Sequence, residues 1–176
     1  MNDSWPTVST ALVALVPQAE PVVGRWRADL DPSASSGMPP HVTVLYPWLP
    51  PDGLHDGELG ALRELVAAVP AFDVEFCEFG RFPSTLWLAP RPADPFIRLT
   101  TAIERRWPDT PAYAGRFPTI VPHLSIGDAV DPDMLGHVVT DVAPRLPFPA
   151  RIDELVLMVR DADARWDRHS TYQLAG

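Results

Sequence analysis

Hydrophobic positions along the chain change period repeatedly, and each change marks an element. Ser9-Thr10-Ala11-Leu12-Val13-Ala14-Leu15-Val16 is an apolar run that stops at Pro17, the pattern of a buried strand. From Glu20-Pro21 the spacing becomes helical, with Val22, Val23, Trp26 and Leu30 on one stripe, and predicts a helix over 20–29. Residues 31–40 are rich in turn formers and read as a long, mobile surface loop. A strand over 41–49 follows. Its alternation puts His41, Thr43 and Leu45 on one face and Val42, Val44 and Tyr46 on the other.

A helix over 58–69 carries Leu59, Leu62, Leu65, Val66 and Val69 on its apolar stripe and is closed by Pro70. Phe72, Val74 and Phe76 alternate with Asp73 and Glu75 in a strand over 72–79, which turns at Arg81-Phe82-Pro83-Ser84 and returns over 85–89 as a hairpin. An amphipathic helix over 94–107 presents Phe96, Leu99, Ile103 and Trp107. The second half follows the same plan: a strand over 122–126, a helix over 131–142, a stop at Pro147, and strands over 152–159 and 167–174. Pro40-His41-Val42-Thr43-Val44 matches Pro122-His123-Leu124-Ser125-Ile126 in residue type at every position. The expectation is one α+β domain over residues 1–176, built of two duplicated lobes.

Composition narrows the chemistry. With 176 residues, 46% apolar and 21% charged, the chain has the makeup of one soluble globular domain. No apolar run approaches the roughly 20 residues of a membrane span. Met1-Asn2-Asp3-Ser4-Trp5-Pro6 offers no basic leader, so a cytoplasmic, monomeric protein is expected. All 14 basic residues are arginine. The absence of lysine excludes a Walker-type phosphate lysine, a Schiff base and an adenylylated lysine. Cys77 stands alone, which excludes CxxC redox chemistry and Cys-rich zinc sites, and it reads as a small buried hydrophobe. A net charge of −9 is not that of a general polyanion binder. A nucleic-acid role needs a local arginine groove or a nucleotide-sized substrate.

One His-x-Thr tripeptide is as easily a histidine satisfied at a strand end as a catalytic group. Two copies, each after a proline on an apolar strand in corresponding places of two half-chains, can bring two imidazoles and two hydroxyls to one cleft. That set suits phosphoryl transfer at a ribose: one imidazole as base, one as acid, and the hydroxyls of Thr43 and Ser125 donating to non-bridging oxygens. It requires no metal and no cofactor. Use of His41 and His123 as metal ligands lacks a third ligand at suitable spacing.

The paired motifs resemble those of the two-histidine (2H) phosphoesterase superfamily. Within it, His41-Val42-Thr43-Val44-Leu45-Tyr46-Pro47 is similar to the first motif of the bacterial 2'-5' RNA ligase and RNA 2',3'-cyclic phosphodiesterase group, and Pro122-His123-Leu124-Ser125-Ile126 to the second. The resemblance implies a bilobal, pseudo-two-fold α+β fold in which two antiparallel sheets line a central cleft with helices outside. It implies His41 and His123 as catalytic histidines, Thr43 and Ser125 as motif hydroxyls, and metal-independent hydrolysis of 2',3'-cyclic phosphates on RNA ends or small nucleotides. Reversible 2'-5' ligation belongs to the same group. Many members carry an arginine soon after the second motif; here Gly127-Asp128-Ala129 follows.

Around the motifs, Trp87 and Phe82 are candidate base-stacking side chains, with packing as the plainer reading. Arg81 and Arg160, each after the first strand of a hairpin, are candidate phosphate ligands or ordinary surface arginines. His55, His137 and His169 read as solvated or structural. A binding module that keeps the cleft without efficient catalysis, holding a nucleotide or RNA end, is the alternative to an enzyme.

Overall fold

In the computed structural model, which describes residues 8–128 and 130–176, the strands form two four-stranded antiparallel sheets. The apolar run near the start is β1 (Ser9–Leu15), buried because it lies between β2 (His41–Leu45) and β7 (Glu154–Arg160), with β8 (Trp166–Gln173) outside β7. The second sheet has the order β5-β4-β3-β6, made of β3 (Phe72–Arg81), β4 (Thr85–Arg91), β5 (Leu124–Asp128) and β6 (Phe148–Ile152). Both sheets therefore draw on both halves of the chain. Hairpin β3–β4 sits with β5 and β6, while hairpin β7–β8 completes the sheet of β1 and β2. The segment Met1–Pro6, read above as carrying no leader, lies outside the described residues.

The helices α1 (Glu20–Leu30), α3 (Asp56–Ala67), α4 (Asp94–Arg106) and α5 (Pro132–Val142) share one apolar core with the two sheets. Motif strands β2 and β5 lie against each other, and each is backed by the helix that precedes the other: α4 packs on β2 and α1 on β5. Thr100 on α4 donates to the Val44 carbonyl at 2.7 Å. Gly127 on β5 admits α1, since a Cβ there would lie 2.6 Å from the Leu30 Cβ. Trp107, just past α4, packs edge-on to Trp48 at 5.2 Å and donates its indole N–H to Glu58 at 2.6 Å.

Three local expectations change. The strand expected over 152–159 begins earlier, as two strands: β6, then β7 after Asp153. Pro147 and Pro149 disguise β6, but its place at the sheet edge tolerates proline. Alternation along β2 breaks at its end, where the pairing shifts between Leu12/Leu45 and Val13/Thr43. This bulge turns Leu45 into the core and puts Tyr46 against Trp166, the reverse of the expected faces. Cys77 sits where the β3–β4 register shifts and is half-buried rather than buried.

The segment over 31–40 is anchored rather than a free loop. Asp31 caps a short helix, α2 (Pro32–Ser35), by accepting from the Ser33 N–H at 2.8 Å. Arg27, only 3% exposed, forms a 2.9 Å ion pair with Asp31 and donates to the Met38 carbonyl at 3.2 Å. The Trp166 N–H adds a bond to the Ser36 carbonyl at 2.7 Å. Removing one partner of a buried ion pair leaves the other charge unpaired, a cost of about 3–5 kcal/mol. Arg27→Leu is expected to lower the urea unfolding free energy by that order, more than any exposed-arginine variant such as Arg98→Leu.

Candidate active site

The two motif histidines are held in the same way. His41 opens β2, and its Nδ1 lies 2.8 Å from the carbonyl of Pro39. His123 immediately precedes β5, and its Nδ1 lies 2.7 Å from the carbonyl of Val121. A carbonyl can only accept, so each Nδ1 carries the proton and donates it; each neutral ring then keeps a lone pair on Nε2. In both cases the acceptor belongs to the residue two positions earlier, across the proline that precedes the histidine. On the first side the residues flanking Pro39 are themselves held: the Val16 N–H donates to Pro40 O at 2.8 Å and Arg27 donates to Met38 O at 3.2 Å.

Strand pairing puts the hydroxyls on the histidines' side. His41 and Thr43 pair with Leu15 and Val13, on the sheet face opposite Val42 and Val44. Ser125 pairs with Trp87 on β4, away from the core face of Leu124 and Ile126. Trp87 lies flat over Gly80, where a Cβ would stand 2.1 Å from the indole, so that position demands glycine. Phe82 and Trp87 both reach His123, with ring centroids 4.9 and 5.8 Å from the imidazole and 5.1 Å from each other.

Burial depresses both imidazoles. His41 falls from 6.5 to about 4, mainly by desolvation, with Arg27 and His123 pushing the same way and the Pro39 bond and Asp31 opposing. His123 is lowered for the same leading reason, opposed by its Val121 bond and by Asp128. The carboxylate after the second motif is engaged, accepting from the Thr85 hydroxyl at 2.5 Å.

The two candidate arginines are placed differently. Arg81 pairs with Leu86 and so shares the face opposite Trp87. Arg160 pairs with Ser9, six residues along β1 from Leu15, which pairs with His41; that is about 20 Å of strand. Its guanidinium donates instead to Ala164 in its own hairpin turn at 3.4 Å. Two residues near the first motif escaped the sequence reading. Arg27 is hidden because it lies within an apolar helical stripe, and Tyr113 because it sits in a Pro-rich connection with no period. Burial pushes the Tyr113 phenol up to about 12, opposed in smaller measure by Thr43.

The model of the 2'-5' RNA ligase superfamily matches residues 15–164, which include both motifs. The chain belongs to that superfamily. Its fold is shared with solved structures at low sequence identity. A crystal structure titled only as a phosphoesterase aligns with a TM-score of 0.62 at 16% identity, over 96% of this chain and 99% of that one. LigT of E. coli in apo form aligns at 0.61 and 16%, over 96% and 98%, and LigT complexed with 3'-AMP at 0.59 and 16%, over 96% and 99%. No curated protein matches. In this superfamily member, as the resemblance of the motifs implied, the fold is α+β with two antiparallel sheets and flanking helices.

The depressed His41 makes stability depend on acid. Unfolding restores its ordinary 6.5, so the unfolded chain takes up a proton below that pH which the folded chain resists down to about 4. Stability present above pH 6.5 is thus lost as pH falls towards 4, by on the order of 3 kcal/mol from this group. Urea unfolding at pH 7, 5 and 4 is expected to show a shallower acid loss in His41→Asn than in the wild type. Equal slopes would contradict the assignment.

Proposed function

We propose that the chain hydrolyses 2',3'-cyclic phosphates, on RNA ends or small nucleotides, by acid–base catalysis between His41 and His123. The observation that carries this reading is the matched Nδ1 bond to the carbonyl two residues back, which leaves both Nε2 atoms for the substrate. One Nε2 takes a proton from water as its oxygen attacks phosphorus. The other, protonated, gives its proton to the departing ribose oxygen, so the proton balance closes without a further group. The depressed imidazoles are neutral in the free protein near pH 7; an arriving phosphate anion favours the charged form of one of them. Thr43 and Ser125 donate to non-bridging oxygens, where charge grows in the transition state.

Phe82 and Trp87 beside His123 supply an aromatic corner for a base, a contact worth roughly 1–3 kcal/mol. With Arg81 on the strand face opposite Trp87, Arg160 held in its own hairpin turn and a net charge of −9, the substrate is a small nucleotide or only the terminus of an RNA. The protein works as a cytoplasmic monomer without metal or cofactor. A second reading, a nucleotide-binding module, is favoured by the LigT structures with NADP+ and ATP, neither of which is a 2',3'-cyclic phosphate.

Incubation with 2',3'-cyclic mononucleotides in EDTA, with identification of the product isomer, separates the two. Turnover is expected; binding without turnover supports the module. His41→Ala and His123→Ala are each expected to lower kcat at least ~10²-fold, and the double variant far less than the product of the two. Full activity in either single variant would sink the mechanism. The kcat/KM profile should be bell-shaped with its optimum below pH 6.5, because it reports the free protein's depressed imidazoles.

Loss of one phosphate donor should weaken catalysis without abolishing it. Thr43→Ala and Ser125→Ala are each expected to lower kcat/KM by on the order of 10². Trapping a phosphorylated Thr43 or Ser125 would instead make that residue a nucleophile.

A further inference from the structure

Where β4 passes into α4, a cavity of about 480 Å³ opens beside the second motif, within the size range of small-ligand sites. Strand alternation builds its floor. Leu86, Leu88 and Pro90 are buried, so Trp87, Ala89 and Arg91 share the opposite face, the one that carries Ser125. The pairs Trp87–Ser125 and Leu88–Leu124, continued by one residue, set Ala89 against His123. A small residue between two large ones leaves a slot, with Trp87 at one end and Arg91 at the other. Ile97 of α4, and Val121 and Pro122 leading into His123, supply apolar walls.

Two charged residues stand on this otherwise apolar lining: Arg91, and Asp94 in the first turn of α4. Arg91 is held in place, its Nη2 donating to Glu78 across the hairpin at 2.5 Å. The carboxylate engages one nitrogen of three, and a guanidinium presents five N–H donors in a planar fork. With Glu78 bonded to it and Asp94 on the same lining, Arg91 is a poor anchor for a further phosphate and a good one for an uncharged base edge.

We infer that this cavity is a nucleobase pocket selective for guanine, with Arg91 donating to O6 and N7 and Asp94 accepting from N1–H and the 2-amino group. The inference rests on the proposed function, which sets the ribose phosphate at His123, next to the slot. Guanine offers two adjacent acceptors beside two adjacent donors, the complement of a donor fork and a carboxylate. Adenine would turn its 6-amino donor towards the guanidinium. Cytosine gives the carboxylate one donor group instead of two, and a single ring fills less of the slot. Contact with Trp87 favours any base, so the choice falls to Arg91 and Asp94.

Binding of guanosine and adenosine 3'-monophosphates is measured calorimetrically in wild type, Arg91→Met, Arg91→Lys and Asp94→Asn, alongside kcat/KM for the four 2',3'-cyclic mononucleotides. Wild type is expected to bind the guanosine compound at least about tenfold tighter, the scale of one bidentate base contact. Arg91→Met should bring that ratio close to one. Arg91→Lys keeps the charge beside Glu78 but loses the fork, and Asp94→Asn exchanges an acceptor for a donor; both should cut the ratio. A wild-type ratio near one, a preference for another base, a ratio that survives Arg91→Met, or no binding of either nucleotide overturns the inference. Guanine preference that depends on Arg91, without turnover of any cyclic nucleotide, overturns the proposed hydrolysis and leaves the pocket supported. Turnover of all four at equal kcat/KM does the reverse. The Arg91–Glu78 pair is exposed on both sides, so its loss costs the fold little. Should Arg91→Met nonetheless fail to fold, an unchanged ratio in Arg91→Lys overturns the inference instead.

Discussion

An imidazole that donates through Nδ1 has only Nε2 left for chemistry, and both motif histidines are fixed that way by a carbonyl two residues upstream. The surrounding structure holds the chain on either side of the first of those carbonyls, at Met38 and at Pro40. A proline between the carbonyl and the histidine restricts the backbone at Pro39 and at Val121, so the acceptor is presented in one orientation. On the first side, Arg27 and Asp31 pin the segment from Ser33 to Met38 from beneath, at the cost of burying an ion pair. A pair of that kind is weak as a source of stability, but it holds one loop geometry firmly, because no alternative position satisfies both charges.

The second constraint is the way β2 and β5 share their helices. Each motif strand is packed by the helix that belongs, in sequence, to the other motif, and the four elements enter one core. Relative movement of the two sheets would therefore disturb Thr100 on Val44 and the close approach of Leu30 to Gly127 together. A core that is close-packed resists such sliding. The spacing of the two imidazoles is thus set by helix–strand packing rather than by the loops around the cleft, and His123 is close enough to act electrostatically on His41.

What could be read from the sequence follows from what periodicity records. The motif residues, the helices and most strands were legible because burial imposes alternation or a helical stripe, and both motifs sit on such runs. β6 was not, since its prolines imitate a loop and only its edge position makes them harmless. The faces of Leu45 and Tyr46 were misread because a bulge has no signature in residue type. Arg27 was not singled out because it lies within an apolar helical stripe, and Tyr113 lay where no period exists. Hairpin exchange between the sheets was also invisible: two repeated halves have the same pattern whether each hairpin pairs with its own strands or with the other half's.

Charge placement gives the cleft its character. The chain carries 23 acidic and 14 basic residues, and many of the arginines are spent on carboxylates: Arg25 and Arg145 on Asp141, Arg91 on Glu78, Arg151 on Asp73 and Arg168 on Glu154. The second motif is followed by Asp128, Arg160 is held in its own hairpin turn, and Arg81 pairs on the strand face opposite Trp87. On the proposed function, a phosphate is therefore gripped chiefly by neutral donors, the hydroxyls of Thr43 and Ser125, and by an imidazole that becomes charged as the anion arrives. Neutral donors attract little at a distance, so such a site gains less from electrostatic steering than an arginine groove would. It gains selectivity instead, because hydroxyls fixed in direction reward a phosphate that fits between the two Nε2 atoms and give little to a long polyanion lying across the rim.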